Sequence, residues 1–186
     1  MKRKKICVFS GSSEGKNTIF MESARSLGRH FAENNLSLVY GGASIGLMGA
    51  MADSCMNSNG EVYGVMPQCL TDLELGHKGI TQLDVVGSMH ERKAKMYDLS
   101  DAFIAFPGGM GTLEELFEIM TWAQLNYHNK PCYVLNINKF FDGMLQHLNH
   151  SCDEGFISEK HMKIFKTYET VEEVVSDYLS TASISS

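Results

Sequence analysis

Two adjacent cations, Arg92 and Lys93, lie in a segment with the periodicity of a helix. At about 100° per residue they fall on either side of Met89 and Met96, which mark the expected apolar side of that helix. Unpaired charge beside an apolar surface is costly to bury. Either both side chains extend to solvent along their aliphatic stems, or they meet a bound phosphate or a carboxylate. We favour the second arrangement, which is the chemistry of an anion-binding site.

A second candidate for chemistry is the turn Pro107-Gly108-Gly109-Met110-Gly111-Thr112. Its glycines allow the backbone to approach an anion closely, and the free N–H groups at the start of the next helix can bind phosphate. We expect Thr112 to cap that helix. The same composition also fits a tight strand-to-helix turn that binds nothing.

The acidic run Glu114-Glu115 follows that turn on an expected helix. The spacing Thr112-x-x-Glu115 is typical of a capping box, in which the carboxylate serves only the helix terminus. The alternative is that the carboxylate is catalytic. Glu115 is expected to point roughly away from the apolar stripe of this helix. That stripe comprises Leu113, Leu116, Phe117 and Met120.

Familiar cofactor motifs do not fit. The stretch after the first strand, Gly11 to Asn17, lacks the spacing of a P-loop and the hydroxyl that follows its lysine. It also lacks the glycine spacing of a dinucleotide fold, so NAD binding is disfavoured. His147-x-x-His150-x-Cys152 has no second cluster to complete a tetrahedral site. We therefore expect no metal and no cofactor.

Short apolar runs alternate with helical patterns along the whole chain, which indicates an α/β fold with an open parallel sheet and helices on both faces. The expected strands are residues 5–9, 37–40, 61–65, 84–86, 102–106 and 131–135. The expected helices are residues 18–34, 46–59, 89–99, 113–125, 141–154 and 171–179. Residues 66–83 form the longest expected loop. The chain forms one domain to about residue 180, followed by a flexible tail, residues 181–186.

Glycine-rich turns follow three of these strands, the first, second and fifth. Because open α/β sheets bind ligands at the carboxyl ends of their strands, we expect these turns to gather at one site. Gly11, Ser12 and Gly42 are candidates for contacts with ribose or phosphate.

Composition excludes several classes of function. The net charge of −6 argues against bulk binding to nucleic acid or to an anionic membrane. No window approaches the roughly 18 apolar residues of a membrane span. Five scattered cysteines without a CxxC pair are typical of free thiols in a reducing cytosol. We expect a cytoplasmic protein.

Five ordered motifs, from about Ile6 to Asn136, together resemble the LONELY GUY (LOG) family, cytokinin riboside 5′-monophosphate phosphoribohydrolases. They are Cys7-Val8-Phe9-Ser10-Gly11-Ser12-Ser13, Gly41-Gly42-Ala43-Ser44-Ile45-Gly46-Leu47-Met48-Gly49, Met89-His90-Glu91-Arg92-Lys93, Pro107-Gly108-Gly109-Met110-Gly111-Thr112-Leu113-Glu114-Glu115 and Thr121-Trp122-Ala123-Gln124-Leu125. Ser10, Ala43 and Met110 stand where the family usually has Cys, Gly and Tyr. Related proteins often carry a lysine decarboxylase label, but no lysine here stands out as an anchor for pyridoxal phosphate.

The resemblance implies a Rossmann-like homodimer with active sites near the interface, which releases an adenine-type base from its ribose 5-phosphate. By motif position, Arg92 and Glu115 match the catalytic residues. The positions that match substrate-binding residues are Glu74, Lys93, Gly108, Gly109, Met110, Gly111, Thr112, Leu113, Glu114 and Thr121.

Cleavage of an N-glycosidic bond passes through an oxocarbenium-like ribosyl cation, and a carboxylate near C1′ can either stabilise this cation or activate water. Glu115 is the expected carboxylate. Arg92 either orients Glu115, orients the ribose or clamps phosphate. The competing hypothesis is a nucleotide-binding or molybdenum-cofactor carrier protein, which would have no use for that carboxylate.

Overall fold

The computed structural model describes residues 3–71 and 76–184, and its centre is a seven-stranded sheet. The strands are β1 (Lys4–Phe9), β2 (Leu36–Tyr40), β3 (Glu61–Pro67), β4 (Gln82–Val86), β5 (Ala102–Ala105), β6 (Cys132–Leu135) and β7 (Phe165–Tyr168). The helices are α1 (Thr18–Glu33), α2 (Gly46–Asn57), α3 (Gln68–Thr71), α4 (Met89–Leu99), α5 (Met110–Gln124), α6 (Asp142–Asp153), α7 (Glu159–Met162) and α8 (Val171–Ile184).

Every neighbouring pair of strands is parallel, in the order β4-β3-β2-β1-β5-β6-β7. The predicted open parallel sheet with helices on both faces is confirmed. Because helices cover both faces, the central strands are largely buried, and β2, for example, has no exposed residue.

Two apolar cores lie on the two faces of the sheet. One joins α1, α2 and α8 and includes Phe31 and Tyr40. The other joins α4, α5 and α6 and includes Met96, Phe103 and Leu116. The helices α4 and α5, which carry the candidate cations and carboxylates, therefore pack on the same face.

The strand order reverses at β1, which pairs with β2 on one side and with β5 on the other. Ligands of open α/β sheets bind in the crevice at such a reversal. Here the turns after β1 and β5 touch: the Gly11 N–H donates to the Pro107 carbonyl at 3.1 Å. The turns after β1 and β5 thus lie side by side, and a ligand site formed by all three glycine-rich turns stays a prediction.

Several expected boundaries were wrong. Strand β7 was missed because it is a short edge strand with two exposed residues and no apolar run. The expected loop at residues 66–83 is partly regular, since β3 extends to Pro67 and α3 follows it. Helix α5 begins at Met110, three residues before the expected start. Helix α8 runs to Ile184, past the expected end at residue 179 and into the expected tail; residues 185 and 186 lie outside the described residues.

The start of α8 shows why local sequence set other boundaries well. Thr170 Oγ1 accepts a hydrogen bond from the Glu173 N–H at 3.3 Å. The Glu173 carboxylate in turn accepts from the Thr170 N–H at 3.1 Å. This reciprocal pair is a capping box. Within residues 3–71 and 76–184, no helix has the length and apolar character that a membrane crossing requires.

Candidate active site

The centre of the candidate site is an ion pair between α4 and α5. Nη1 of Arg92 donates to Oε1 of Glu115 at 2.9 Å. Arg92 is 9% exposed and Glu115 is 7% exposed. A carboxylate, one of the partners considered from sequence for the cations, is thus in contact with Arg92. Met89, expected on the apolar side beside Arg92, is instead 45% exposed because it lies at the outer start of α4.

The position of Arg92 is set by the start of α4 and by the end of β3. Ser88 caps α4, since its hydroxyl accepts from the Glu91 N–H at 3.2 Å. One turn into the helix, Arg92 Nε donates to the Val65 carbonyl at 3.0 Å. The guanidinium is thus held by a backbone carbonyl on one edge and by Glu115 on another. The sequence did not predict the contact with Val65, because the acceptor is a backbone carbonyl, which no side-chain pattern reveals.

Burial and the Arg92 cation have opposite effects on the pKa of Glu115. Burial raises the pKa of the Glu115 carboxyl, and the Arg92 guanidinium offsets only part of this shift. A carboxyl group whose pKa lies closer to neutrality is better suited to take a proton from water than an exposed glutamate. A buried carboxylate beside a fixed cation is an arrangement that can perform general-base chemistry.

The start of α5 leaves backbone donors available to a ligand. Gly109 is the N-cap residue, and no side chain caps the helix. The first intrahelical bond goes from the Leu113 N–H to the Gly109 carbonyl at 3.3 Å. The N–H groups of the first turn, at residues 110–112, precede that bond, and both Met110 and Gly111 are exposed. The oxygens of a phosphate group can accept hydrogen bonds from the free N–H groups at such a helix start.

The expected capping by Thr112 and Glu115 is wrong. Because the helix begins earlier than expected, Thr112 lies inside it, 3% exposed, and Glu115 turns to Arg92. Thr112 instead fills the space beside Gly108, where an added Cβ would lie 2.1 Å from Thr112 Oγ1 and 2.7 Å from the Gly11 nitrogen. Gly108 is therefore required by close packing.

The buried face of α5 is also rotated from the expected stripe. Thr112, Glu115, Leu116 and Ile119 are its buried residues. Leu113 and Met120 are partly buried against the same core, whereas Phe117 is 37% exposed. Glu115 thus faces inward, contrary to expectation, because Arg92 on α4 provides a partner that helix periodicity cannot reveal.

Lys93 forms a second link between α4 and α5. Its Nζ donates to carboxylate oxygens of Glu114 and Glu118, the latter at 2.9 Å. Burial works to lower the pKa of Lys93, but the two acceptors outweigh it and the pKa is raised. Because its pKa is raised, Lys93 is positively charged, and its ion pairs with Glu114 and Glu118 connect α4 to α5.

Two expected substrate contacts face outward. Met110 is 84% exposed, and Thr121 is exposed farther along α5. Thr121 is seven residues after Glu114, which places it on the Glu114 face of the helix rather than on the Glu115 face. Within one protomer, Thr121 is therefore not directed at the buried ion pair.

The turns after β1 and β2 pack closely against each other and leave no space between them for an added side chain. A Cβ at Gly46 would lie 2.2 Å from the Ser12 carbonyl oxygen. Ser12 is exposed, whereas Gly42 is buried with φ near +82°. The Gly42 carbonyl is already engaged, since it accepts from the His77 N–H at 2.9 Å. Of these candidates Gly11, which touches the turn after β5, lies nearest to the α5 start.

Glu74 lies outside the described residues. The segment that follows it is anchored by His77, which sequence reasoning did not single out. His77 Nε2 is 3.0 Å from Asp53 Oδ1 on α2, and its Nδ1 accepts from the Gly79 N–H at 3.1 Å. Because Nδ1 is an acceptor, Nε2 must carry the proton and donate to Asp53.

Two other features do not belong to this site. Among the described residues no group of three or more His, Cys, Asp or Glu side chains is arranged to hold a metal ion. His147 and His150 are exposed on α6. A cavity of about 530 Å³ lies between α1 and α2 and includes Arg25, Arg29 and Asp53 in its lining. Neither Arg92 nor Glu115 lines this cavity, so the cavity and the ion pair are separate features.

Sequence comparisons agree on one family. A family model described as "Possible lysine decarboxylase" matches residues 48–178. The chain is 47% identical over 156 residues to a cytokinin riboside 5′-monophosphate phosphoribohydrolase of Rhodococcoides fascians, covering 83% of this chain and 79% of that protein. It is 42% identical over 174 residues to the phosphoribohydrolase LOG3 of Arabidopsis thaliana, covering 94% and 81% respectively.

Solved structures share the fold at low sequence identity. A molybdenum cofactor binding protein from Rippkaea orientalis matches with a TM-score of 0.75 at 20% identity, over 98% of this chain and 99% of that one. The molybdenum cofactor carrier protein of Chlamydomonas reinhardtii matches with a TM-score of 0.72 at 17% identity, over 97% and 99%. At such identities the likeness concerns the fold alone.

Proposed function

This chain belongs to the LONELY GUY (LOG) family of phosphoribohydrolases, and on that premise we propose that it hydrolyses the N-glycosidic bond of a cytokinin riboside 5′-monophosphate or a similar adenine nucleotide. The products are the free base and ribose 5-phosphate. The observation that carries the proposal is the buried Arg92–Glu115 pair beside the uncapped start of α5. A carrier protein needs a phosphate cradle but no buried carboxylate.

The 5′-phosphate binds at the start of α5. The backbone N–H groups of residues 110–112 donate to its oxygens, and the positive end of the helix dipole attracts its charge. Gly108 and Gly109 keep side chains away from the approach to this turn. Anchoring the phosphate fixes the distance from the ribose to Glu115, which lies in the second turn of the same helix.

Glu115 then acts at the anomeric carbon. The C1′–N bond breaks and its electron pair leaves with the base, while the carboxylate stabilises the developing cation. Water adds to C1′ as Glu115 accepts its proton, and the departing base acquires a proton from solvent. No metal and no cofactor take part in this scheme.

Arg92 orients Glu115. Its Nε and Nη1 are bound to Val65 and Glu115, which supports an orienting role over direct clamping of phosphate. Lys93 and Glu114 are the sequence neighbours of Arg92 and Glu115, and they contribute further contacts with the substrate. On arrival of the anionic substrate, we expect Lys93 to exchange one of its carboxylate partners for the ligand.

The active form is a homodimer in which α5 supplies part of the interface. Exposed apolar side chains on or near this helix, at Met110, Phe117, Leu125 and Tyr127, support this assignment. Thr121 lies on the same outward side. A substrate contact by Thr121, like one by Glu114 on the same helix face, would therefore form where the two protomers meet. The expected cytoplasmic location is tested by fractionation of cells that express the protein.

The decisive experiment is an assay for free base. Purified protein is incubated with AMP, with N6-isopentenyladenosine 5′-monophosphate and with the corresponding nucleosides that lack phosphate. We expect base and ribose 5-phosphate in equal amounts from a monophosphate, and no comparable release from the nucleosides. Tight nucleotide binding without release of base from any substrate would favour the carrier hypothesis.

A further inference from the structure

Gly41, the first residue after β2, lies against the Nη2 end of the Arg92 guanidinium. A Cβ placed on Gly41 would lie 2.1 Å from Arg92 Nη2 and 3.3 Å from its Cζ. Non-bonded heavy atoms pack at about 3.5–4.0 Å. The guanidinium therefore occupies the volume that any side chain at position 41 would need.

The neighbouring glycine is required for a different reason. Gly42 has φ near +82°, a conformation that L-residues with side chains rarely adopt. Gly41 is not among the residues with positive φ. Its backbone would accept alanine, so the space taken by Arg92 is what restricts position 41.

We propose that Gly41 is a positioning residue for the hydrolytic reaction, acting through Arg92. The bare backbone at position 41 lets the Nη2 end of the guanidinium reach the end of β2. From there it reaches the Val65 carbonyl and the Glu115 carboxylate together, at 3.0 and 2.9 Å. This inference rests on the proposed function, in which Arg92 orients Glu115.

An alanine at position 41 would displace side chains rather than the fold. The nearest atoms to the added Cβ are Arg92 Nη2 and Cζ and, at 3.0 Å, Met48 Sδ. All of them belong to the ends of flexible side chains. Since the guanidinium is anchored at both edges, moving it weakens its bond to Val65 or to Glu115. A buried carboxylate that loses its cation titrates at higher pH.

The test combines kinetics with a direct titration of Glu115. For Gly41→Ala we expect kcat to fall about 10- to 100-fold, as for other small misplacements of catalytic groups. The acid limb of the kcat profile should move to higher pH, and the circular dichroism spectrum should remain native. Gly143→Ala on α6 is the matched control, because an added Cβ there meets no atom within 4 Å; its activity and acid limb should equal those of wild type.

A double-mutant cycle separates action through Arg92 from a general structural effect. Arg92→Lys removes Nη2, so Gly41→Ala should cost far less in that background than in wild type. An equal fold loss in both backgrounds would overturn the proposal, as would wild-type kinetics for Gly41→Ala.

A ¹³C NMR titration of the Glu115 carboxyl gives a readout that does not require activity. Its pKa should be higher in Gly41→Ala than in wild type. An unchanged pKa would overturn the positioning role even if the protein proved to be no hydrolase. A wild-type protein that releases no base, together with the expected pKa change, would instead contradict only the proposed function.

Discussion

Arg92 and Glu115 are 23 residues apart in sequence, yet the guanidinium and the carboxylate meet at 2.9 Å in a part of the molecule nearly closed to solvent. Each is the charge that makes burial of the other tolerable. Removing one partner of such a pair typically costs about 3–5 kcal/mol, because an uncompensated buried charge remains. Their roles in catalysis and in stability must therefore be separated by experiment.

Replacing Glu115 by glutamine should abolish release of base while leaving nucleotide binding largely intact. Glutamine keeps the shape and can still accept a hydrogen bond from Arg92, but it has no negative charge for the ribosyl cation and no basicity for water. We expect kcat to fall by about 10²–10⁴, measured by chromatography of the free base, with the nucleotide affinity measured by calorimetry. Glu33→Gln, at an exposed position of α1, is the matched control. Activity of Glu115→Gln within twofold of wild type would contradict the catalytic assignment.

Replacing Arg92 by alanine should impair turnover and binding together. The substitution leaves Glu115 buried without its cation, so we expect the free energy of unfolding to drop by about 3–5 kcal/mol. The site also loses positive charge, which should weaken nucleotide affinity. Denaturant unfolding and calorimetry measure the two effects. An affinity equal to wild type would contradict the expected contribution of the Arg92 charge to binding and would leave only its orientation of Glu115.

The pH dependence should report the environment of Glu115. The ionised carboxylate is the active form, so activity should decline as pH falls through its pKa. Because burial raises that pKa above the ordinary value of 4.5, the acid limb should appear at higher pH than for an exposed glutamate. Bound phosphate adds negative charge nearby and should move the limb of kcat above that of kcat/KM. An acid limb at the pH typical of an exposed glutamate would contradict the assignment.

Gly108→Ala should damage the turn itself. The added Cβ meets Thr112 Oγ1 and the Gly11 backbone nitrogen, and the latter cannot move without shifting the turn after β1. Overpacking of this kind costs about 1–3 kcal/mol, and we expect nucleotide affinity to fall as the α5 start is displaced. Thermal unfolding and calorimetry give the two readouts. The Gly143→Ala control should show neither loss. Wild-type stability and affinity for Gly108→Ala would show that the contact relaxes without consequence.

The outer side of α5 should hold two protomers together. Wild-type protein should scatter light with about twice the 20.7 kDa mass of one chain. Phe117→Asp introduces a charge among the exposed apolar side chains of α5 and should give the mass of one chain. Activity should also fall, because Thr121 would no longer reach the site of a partner. A wild-type mass near that of one chain at micromolar concentration would refute the dimer.

Much of the architecture follows from local sequence. The alternation of short apolar runs with helical patterns indicates a parallel sheet, since each strand and helix must bury its apolar side against the next layer. The bounds of α4 were predicted without error, because Ser88 and Glu91 define its start through local hydrogen bonds. The glycine-rich turns after β1, β2 and β5 were also evident from sequence, because a turn's composition reflects its own backbone.

The sequence indicated that the cations meet a phosphate or a carboxylate, but it did not decide which distant residues pair. Periodicity placed Glu115 roughly away from the apolar stripe, and its spacing from Thr112 fitted a capping box; both expectations failed because Arg92, on another helix, offers a charge that local pattern does not contain. The edge strand β7 was missed because pairing with β6, rather than its own composition, makes it a strand. The close approach of Arg92 Nη2 to Gly41 likewise arises only when β2, β3 and α4 pack together. Sequence identified the chemical groups, and tertiary packing decided which of them meet, because contact energies depend on distances in space rather than along the chain.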